Sequence, residues 1–402
     1  MRFPVAMVAV AATFLCVGAA HAQFSDGKIK IGVLDDFSGQ YCVGDCMSPV
    51  KTTKMAVEDF GGNIDGTPIE VIYADHQNKP DVGVSIANKW YDVDQVDVIV
   101  DVVNSAVALA VQEIARGKGK AVLYGEAGSD QLTGKACAPY SAQWIYDTYQ
   151  FGRSIGEAVP QLGKTWFIIA ADYAFGKGLA AGVKANVEKA GGTVVGTVFH
   201  PFGASDMSSF MLQAQNSKAE VIALANAGGD MTNAIKAAHE FGLVEQGIKI
   251  VPLSLDLPLI AGAGGLDAVQ GMMVTLPWYP GISPEATAFA KRLEDAKIPQ
   301  QYMWAGVYSM VHDYLAAAKA THTDDPKTIF AWMQKTPIRD EFATGGKLRI
   351  DGRMVHDVYL VRMKKPSESK GPNDLATLVT TIPGDRAFRP LNEGGCPLVA
   401  AK

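Results

Sequence analysis

Residues 96–117 read VDVIVDVVNSAVALAVQEIARG, a run of valine and isoleucine that passes through Asn104-Ser105 into an apolar stripe of helical period. The first half has the near-continuous apolar character of a strand buried on both faces, and the second half has the spacing of an amphipathic helix. A strand followed at once by a helix is half of a βαβ unit, so this stretch predicts a parallel sheet. The neighbouring segments repeat the pattern. Residues 28–36 (KIKIGVLDD), 68–77 (PIEVIYADHQ) and 120–128 (KAVLYGEAG) read as strands, and 48–62 and 81–94 as helices, with Met55, Val57 and Phe60 on the buried stripe of the first.

The rhythm begins again near residue 150. A helix over 149–162 precedes TWFIIAADY (165–173), a helix over 178–192, TVVGTVF (193–199), a helix over 208–219, EVIALANAGG (220–229), a helix over 230–243 and IKIVPLSLD (248–256). Two α/β units therefore stand in tandem. Beyond VQGMMVTLPWYPG (269–281) come helices over 283–297 and 302–320. The late strands GGKLRIDG (345–352) and HDVYLVRMKK (356–365) suggest that the chain returns to complete both units. The fold expected is α/β, two units in tandem, each with a parallel sheet.

The first 22 residues place one charge, Arg2, before a run of small and aliphatic residues that closes on Ala20-His21-Ala22. That is the pattern of a cleaved secretory signal, with Gln23 as the first mature residue. Residues 1–22 are thus expected to be a signal peptide on a soluble exported chain. Cys16 leaves with it. Cys42, Cys46, Cys137 and Cys396 remain, an even set in an exported protein, which favours disulfides. The pairing expected is Cys42 with Cys46 and Cys137 with Cys396, although four cysteines allow three connectivities. A zinc reading would recruit His76, but the C-x-x-x-C spacing has no second clustered pair.

The chain has 402 residues, enough for two domains of about 100 to 200 residues, and a formal charge of -6, one more negative once Arg2 is lost. No Lys/Arg cluster marks a nucleic-acid or anionic-membrane surface.

Ligands of open α/β sheets bind beyond the carboxyl ends of the strands, where helix N-termini offer free N–H groups. Asn104-Ser105 occupies that position in the first unit and Asn226-Ala227 in the second, so the two asparagines are counterparts; each is equally well suited to cap a helix. Other groups at strand ends are Ser38 and Tyr41, then Glu126, Gly128 and Ser129 in YGEAGSD, Tyr173 and Phe175 in ADYAFG, and Asp256 in SLDLP. Together they supply hydroxyls, carboxylates and flat apolar walls, the mixture of a small-molecule pocket.

Catalytic signatures are missing. LTGKAC (132–137) mimics the tail of a P-loop, but Gly128 is one residue too far from Gly134 and Ala136 replaces the magnesium-binding hydroxyl. GAGGLDAV (262–269) lacks the third glycine of a dinucleotide fingerprint. No G-x-S-x-G or H-E-x-x-H occurs, and His76, His200, His239, His312, His322 and His356 are scattered. No enzyme activity, cofactor or metal is expected.

The order DDFSG (35–39), AVEDFGG (56–62), ADHQNKPDVG (74–83), NSAVALAVQEIA (104–115), ACAPYSAQWIYDTY (136–149), ADYAFGKG (171–178), LQAQ (212–215), IALANAGGD (222–230) and GRMVHDVYLV (352–361) resembles periplasmic substrate-binding proteins of ABC importers. The likeness is to the leucine/isoleucine/valine-binding, amino-acid/amide branch, and within it to members that serve aromatic acids. It implies a periplasmic location and a type I periplasmic-binding fold, two Rossmann-like lobes with parallel sheets joined by three crossovers, lobe 1 formed by 24–144 and 279–353 and lobe 2 by 145–278 and 354–402. It also implies a small solute bound in the cleft by a monomer that docks on a membrane permease, with a sensor docking on a receptor as the alternative. Matched to the family, Asn104-Ser105 with the Glu126 to Ser129 turn would hold an α-carboxylate, Asp256 an ammonium, and Tyr173 or Phe175 would close over the ligand. Glu126 in that turn and the Cys42/Cys46 loop depart from the family pattern. A zwitterion suits the set best, so an amino acid or amide comes first and an aromatic carboxylate second.

Overall fold

The computed structural model describes residues 24–42 and 45–400, so the expected signal peptide, Gln23 and Cys16 lie outside the described residues. The first sheet holds β1 (Ile29–Asp35), β2 (Asn63–Ile64), β3 (Thr67–Asp75), β4 (Val98–Asp101), β5 (Ala121–Tyr124) and β6 (Ser141–Gln143) in the order β2-β3-β1-β4-β5-β6. All pairs are parallel except the short β2–β3 hairpin. The helices α1 (Ser48–Asp59), α2 (Pro80–Asp92) and α3 (Ser105–Lys118) connect the strands.

Period-two alternation sends successive side chains of these strands into two different cores. Ile29, Ile31, Val33, Val98, Val100 and Leu123 face one. Leu34, Ile99, Val122 and Tyr124 face the other, against Trp90, Tyr91, Val107 and Val111 of α2 and α3. Gly32 falls on that second face because Trp90 lies flat on the strand: a Cβ at 32 would sit 2.6 Å from the indole ring.

The second sheet is built from β7 (Thr165–Ala171), β8 (Thr193–His200), β9 (Val221–Ala225) and β10 (Lys249–Pro252), ordered β10-β9-β7-β8 and parallel throughout. Its helices are α4 (Thr148–Gly156), α5 (Val159–Leu162), α6 (Ala174–Lys189), α7 (Ser208–Asn216), α8 (Gly228–Glu240) and α9 (Leu266–Val269). The single helix expected over 149–162 is two, α4 and α5. Pro160 opens the second, a position where its missing N–H is tolerated, whereas inside a continuous helix it would remove a hydrogen bond.

The chain passes between the sheets three times. It leaves the first after β6, returns after β11 (Met273–Leu276) to supply α10 (Pro284–Asp295), α11 (Tyr302–Thr321) and α12 (Pro326–Met333), and leaves again after β12 (Lys347–Leu348) and β13 (Met354–Val355). The two late strands expected over 345–352 and 356–365 are β12 and β14 (Val358–Met363), and they belong to different sheets. β12 pairs with β13, whereas β14 lies antiparallel between β11 and β15 (Ala376–Ile382).

Two buried side chains cross-brace the crossover segments. Arg353 donates to the carbonyls of Trp144, Tyr146 (2.9 Å) and Met354 (2.8 Å), and Asp147 lies 3.5 Å away. Burial lowers its guanidinium to about 10, with Asp147 opposing the shift, so it stays charged at neutral pH. His356 Nε2 meets the carbonyl of Ile145 at 2.7 Å.

Cys42–Cys46 and Cys137–Cys396 are the disulfides, with Cα separations of 4.8 and 5.6 Å. The second carries the end of the chain onto the segment after β5, where Arg389 also donates to Asp130 (2.8 Å to the carboxylate, 2.7 Å to the carbonyl). Residues 389–396, which the sequence reading groups with lobe 2, are therefore bonded to residues it groups with lobe 1.

Candidate ligand-binding cleft

The carboxyl ends of both parallel sheets face one cavity. From the first sheet come Tyr41 after β1, Val103 after β4, Glu126 after β5 and Tyr146 after β6. The second sheet contributes Tyr173 and Phe175 after β7, Ala227 and Gly228 after β9, and Asp256, Pro258 and Leu259 after β10. Pro299, Gln301, Met303 and Trp304, at and before the start of α11, complete the wall. Two acids and five aromatic rings line the space, and no Lys, Arg or His does.

Hydrogen bonds cross the cavity. The hydroxyls of Tyr41 and Tyr173 bond to each other, and Tyr302 of α11 donates to Asp256 Oδ1 at 2.6 Å. The loop after β1 also abuts α8. The carbonyl of Gln40 faces the Gly229 amide at 3.5 Å, and a Cβ on Gly228 would stand 3.0 Å from that carbonyl and 3.1 Å from the Tyr41 ring. Gly228 has φ 56°, so both the backbone conformation and the close approach require glycine. The Cys42–Cys46 disulfide lies directly after Tyr41. Phe202 packs on both tyrosines, with ring centroids 5.7 Å from Tyr41 and 4.9 Å from Tyr173.

Burial decides the protonation of the acids. Asp256 is raised to about 6 by desolvation, against the stabilising bond from Tyr302. Glu126 is raised well above the ordinary carboxyl range by burial, then by repulsion from Asp101, Asp35 and Asp256. The main-chain carbonyl of Glu126 accepts from Tyr146 Oη at 2.6 Å. Trp304 Nε1 is buried without a partner, a free donor on a side chain that lines the cavity.

The residues singled out from the sequence divide. Tyr41, Glu126, Tyr173, Phe175 and Asp256 line the cavity. Gly128, Ser129 and Ser105 support it from behind: a Cβ on Gly128 would meet the Phe175 ring at 2.5 Å, and Ser105 Oγ accepts from the Ser129 amide at 3.1 Å. Ser38 is exposed and donates to Asp75.

The two asparagines are not equivalent, and neither lines the cavity. Asn104 caps α3, accepting from the amides of Ala106 (2.9 Å) and Val107 (3.3 Å). Asn226 is fully buried with Nδ2 3.2 Å from His200 Nε2, and Ala227 takes the N-cap position of α8. Sequence reasoning passed over Tyr146, Gln301, Met303 and Trp304. Tyr146 sits in a crossover, and the others enter from a helix that returns from far along the chain, so the strand-end rule has no way to find them.

Among the described residues, one group of acids brings carboxylate oxygens close enough to approach a cation: Asp35, Asp101 and Glu126, within 4.8 Å of one another.

Residues 28–372 match the family model described as periplasmic binding protein. The chain is 43% identical to a periplasmic binding protein from Burkholderia mallei of known structure, covering 92% of this chain and 99% of that one with a TM-score of 0.89. It is 35% identical to a branched chain amino acid ABC transporter periplasmic ligand-binding protein from Burkholderia xenovorans, over 92% of this chain and 100% of the other, with a TM-score of 0.81. A Leu/Ile/Val-binding protein homologue of Brucella melitensis is 25% identical over 334 residues, 79% of this chain and 88% of its own. With the matched model spanning most of the chain and both sheets aligned on a common template, the chain belongs to the periplasmic binding protein family and has its type I fold.

Proposed function

We propose that the chain is the extracytoplasmic solute-binding component of an ABC importer, and that it holds an amino acid or amide between its lobes. The observation that carries this reading is the lining of the cleft: Glu126 and Asp256 face an aromatic-walled space that contains no basic side chain. Buried acids without a cationic partner are costly unless a ligand supplies N–H donors. The relative from Burkholderia xenovorans, described as a branched chain amino acid ABC transporter ligand-binding protein, supports the same class.

In this reading the lobes are 24–144 with 279–353 and 145–278 with 354–402, and they close about the three crossovers. Ligand binds one lobe and the other swings over it. The Tyr41–Tyr173 and Tyr302–Asp256 bonds join groups on opposite sides of the cleft and would form as it closes. The closed monomer then docks on the membrane permease from the periplasm, and no catalytic step is involved.

A second reading, an aromatic carboxylate, is favoured by the unpartnered Trp304 indole N–H. Thermal-shift screening of the mature protein against amino acids, amides and aromatic acids tests both, because a ligand of the folded state raises apparent stability. Loss of amine-bearing ligands alone in Asp256→Asn supports the first reading. Tight binding only of acids that lack an amine overturns it.

A further inference from the structure

Behind Glu126 lie two further buried carboxyl groups, Asp101 at the end of β4 and Asp35 at the end of β1. The register of the two strands brings them together, since Leu34 stands opposite Asp101. One oxygen of each of the three acids lies within 4.8 Å of the others. Asp35 Oδ1 accepts from the amides of Asp36 (2.7 Å) and Val103 (3.3 Å). Asp101 meets Asp35 itself, side chain to side chain, an arrangement that requires a proton on Asp101, and the backbone of Glu126 gives its ionised form only partial support. The backbone there is left-handed, φ 78° at Asp101 and 60° at the β-branched Val102, a conformation that costs energy outside glycine. Gly125 leaves the room, because a Cβ there would meet Asp101 Oδ1 at 2.5 Å.

A fourth group is aimed at the cluster. His76 is fully buried, and its Nδ1 accepts from the Asn78 amide at 3.0 Å, so the neutral ring carries its proton on Nε2. Nε2 has no hydrogen-bond partner and stands 4.0 Å from Asp35 Oδ1. A cation cage fits this arrangement poorly, since the imidazole presents a proton in place of a lone pair and Asp35 Oδ1 already accepts two amides.

The other titratable groups facing the three acids are Asp36 beside Asp35, Asp256 across the cleft, and the Tyr146 hydroxyl, with Tyr302 on Asp256. Among the described residues no Lys or Arg ion-pairs with Asp35, Asp101 or Glu126. Three carboxylates this close and this dry cannot all be ionised. Burial raises all three; repulsion from Asp35 adds to it at Asp101, and repulsion from Asp101 and Asp35 at Glu126, whereas Asp35, raised by burial to about 7, is eased by its bond to Asp101.

We propose that Asp35, Asp101 and Glu126 form a proton-holding cluster behind the cleft, and that a ligand ammonium seated against Glu126 takes the place of one of its protons. The exchange rests on the amine-ligand reading above. The ligand enters as R–NH₃⁺, the cluster gives up one H⁺ and becomes singly more negative, and that proton passes to bulk water through the cleft mouth before closure. The net charge of the site is unchanged, so an ammonium is desolvated without leaving a lone charge behind. By linkage, the affinity for an amine rises about tenfold per pH unit while the cluster is protonated.

Two measurements on the mature protein test this. Calorimetric titration with leucine, phenylalanine and benzoate, run in phosphate and in Tris near pH 7, reads proton release from the difference in heat between the buffers. Release of about one proton per amine bound is expected, and its loss in Glu126→Gln supports the assignment. An amine that binds with equal heats in both buffers overturns the exchange alone. Benzoate binding without either amine overturns the exchange and the amine-ligand reading together. Independently of any ligand, infrared difference spectra of Asp101→Asn and Asp35→Asn against the parent should each lose protonated-carboxyl intensity at neutral pH. Unchanged spectra in both overturn the cluster itself.

Discussion

The end of β4 in the first lobe and the end of β9 in the second occupy the same topological position and carry opposite chemistry. After β4 the helix N-terminus is closed off by Asn104, and the neighbouring strand ends concentrate buried acids, Asp35, Asp101 and Glu126. After β9 the helix starts one residue later relative to its asparagine. Ala227 caps α8 without a side-chain bond, and Gly228 brings backbone up to Tyr41. The first side of the cleft therefore concentrates acids, and the second sets a single lining acid, Asp256, among backbone N–H groups and aromatic faces. Two copies of one supersecondary plan thus present different groups to the same cleft.

The comparison depends on the two sides being held in register, so the largest effect should come from the brace between them. Arg353→Met removes the buried guanidinium from three carbonyls and from Asp147, and should lower stability by about 3–5 kcal/mol in a denaturant melt, because it strands a buried acid.

Next is the pH dependence of Asp256, the acid that the second sheet contributes to the cavity lining. Its folded value of about 6 lies above the unfolded 3.8. Its contribution to stability is therefore full below 3.8 and is lost as pH rises through about 6. Asp256→Asn should flatten the pH–stability curve across that window and raise stability at pH 8 by up to about 3 kcal/mol, while weakening amine ligands. Parallel melts at pH 5 and 8 check it.

Gly228→Ala sharpens the contrast further. Its positive φ and the Gln40 carbonyl penalise a methyl group by about 1–2 kcal/mol, and calorimetry should show weaker binding because the Tyr41 loop no longer seats on α8. The smallest change is Asn104→Ala. As a pure cap it should lower stability by about 1 kcal/mol and leave affinity unaltered. A drop in affinity would mean that the first helix N-terminus does reach the ligand.

Much of the site was legible where one rule sufficed. Tyr41, Glu126, Tyr173, Phe175 and Asp256 each follow a strand, and the carboxyl ends of strands in a parallel sheet necessarily share one edge. The rule failed where a residue's role turned on an offset of one position. Asn104 directly precedes its helix, but Asn226 stands two residues before α8, so matching motifs gave one cap and one buried partner for His200. Trp304 and Gln301 were out of reach because nothing local links the start of α11 to strands more than a hundred residues earlier.

The alternation of buried strands and amphipathic helices and the tandem plan are properties of local pattern, and the chain's own text determined them; the cysteine inventory pointed to disulfides, but three connectivities were open until the fold brought Cys42 to Cys46 and Cys137 to Cys396. The proton-holding cluster is of another kind. Glu126 stood out in the sequence as a cleft residue, but nothing there joined it to Asp35 and Asp101, which lie in separate strands. Only the β1–β4–β5 register, the room left by Gly125 and the exclusion of water bring them within 4.8 Å. Electrostatic repulsion acts through space and depends on desolvation, and neither quantity exists until the sheets have formed.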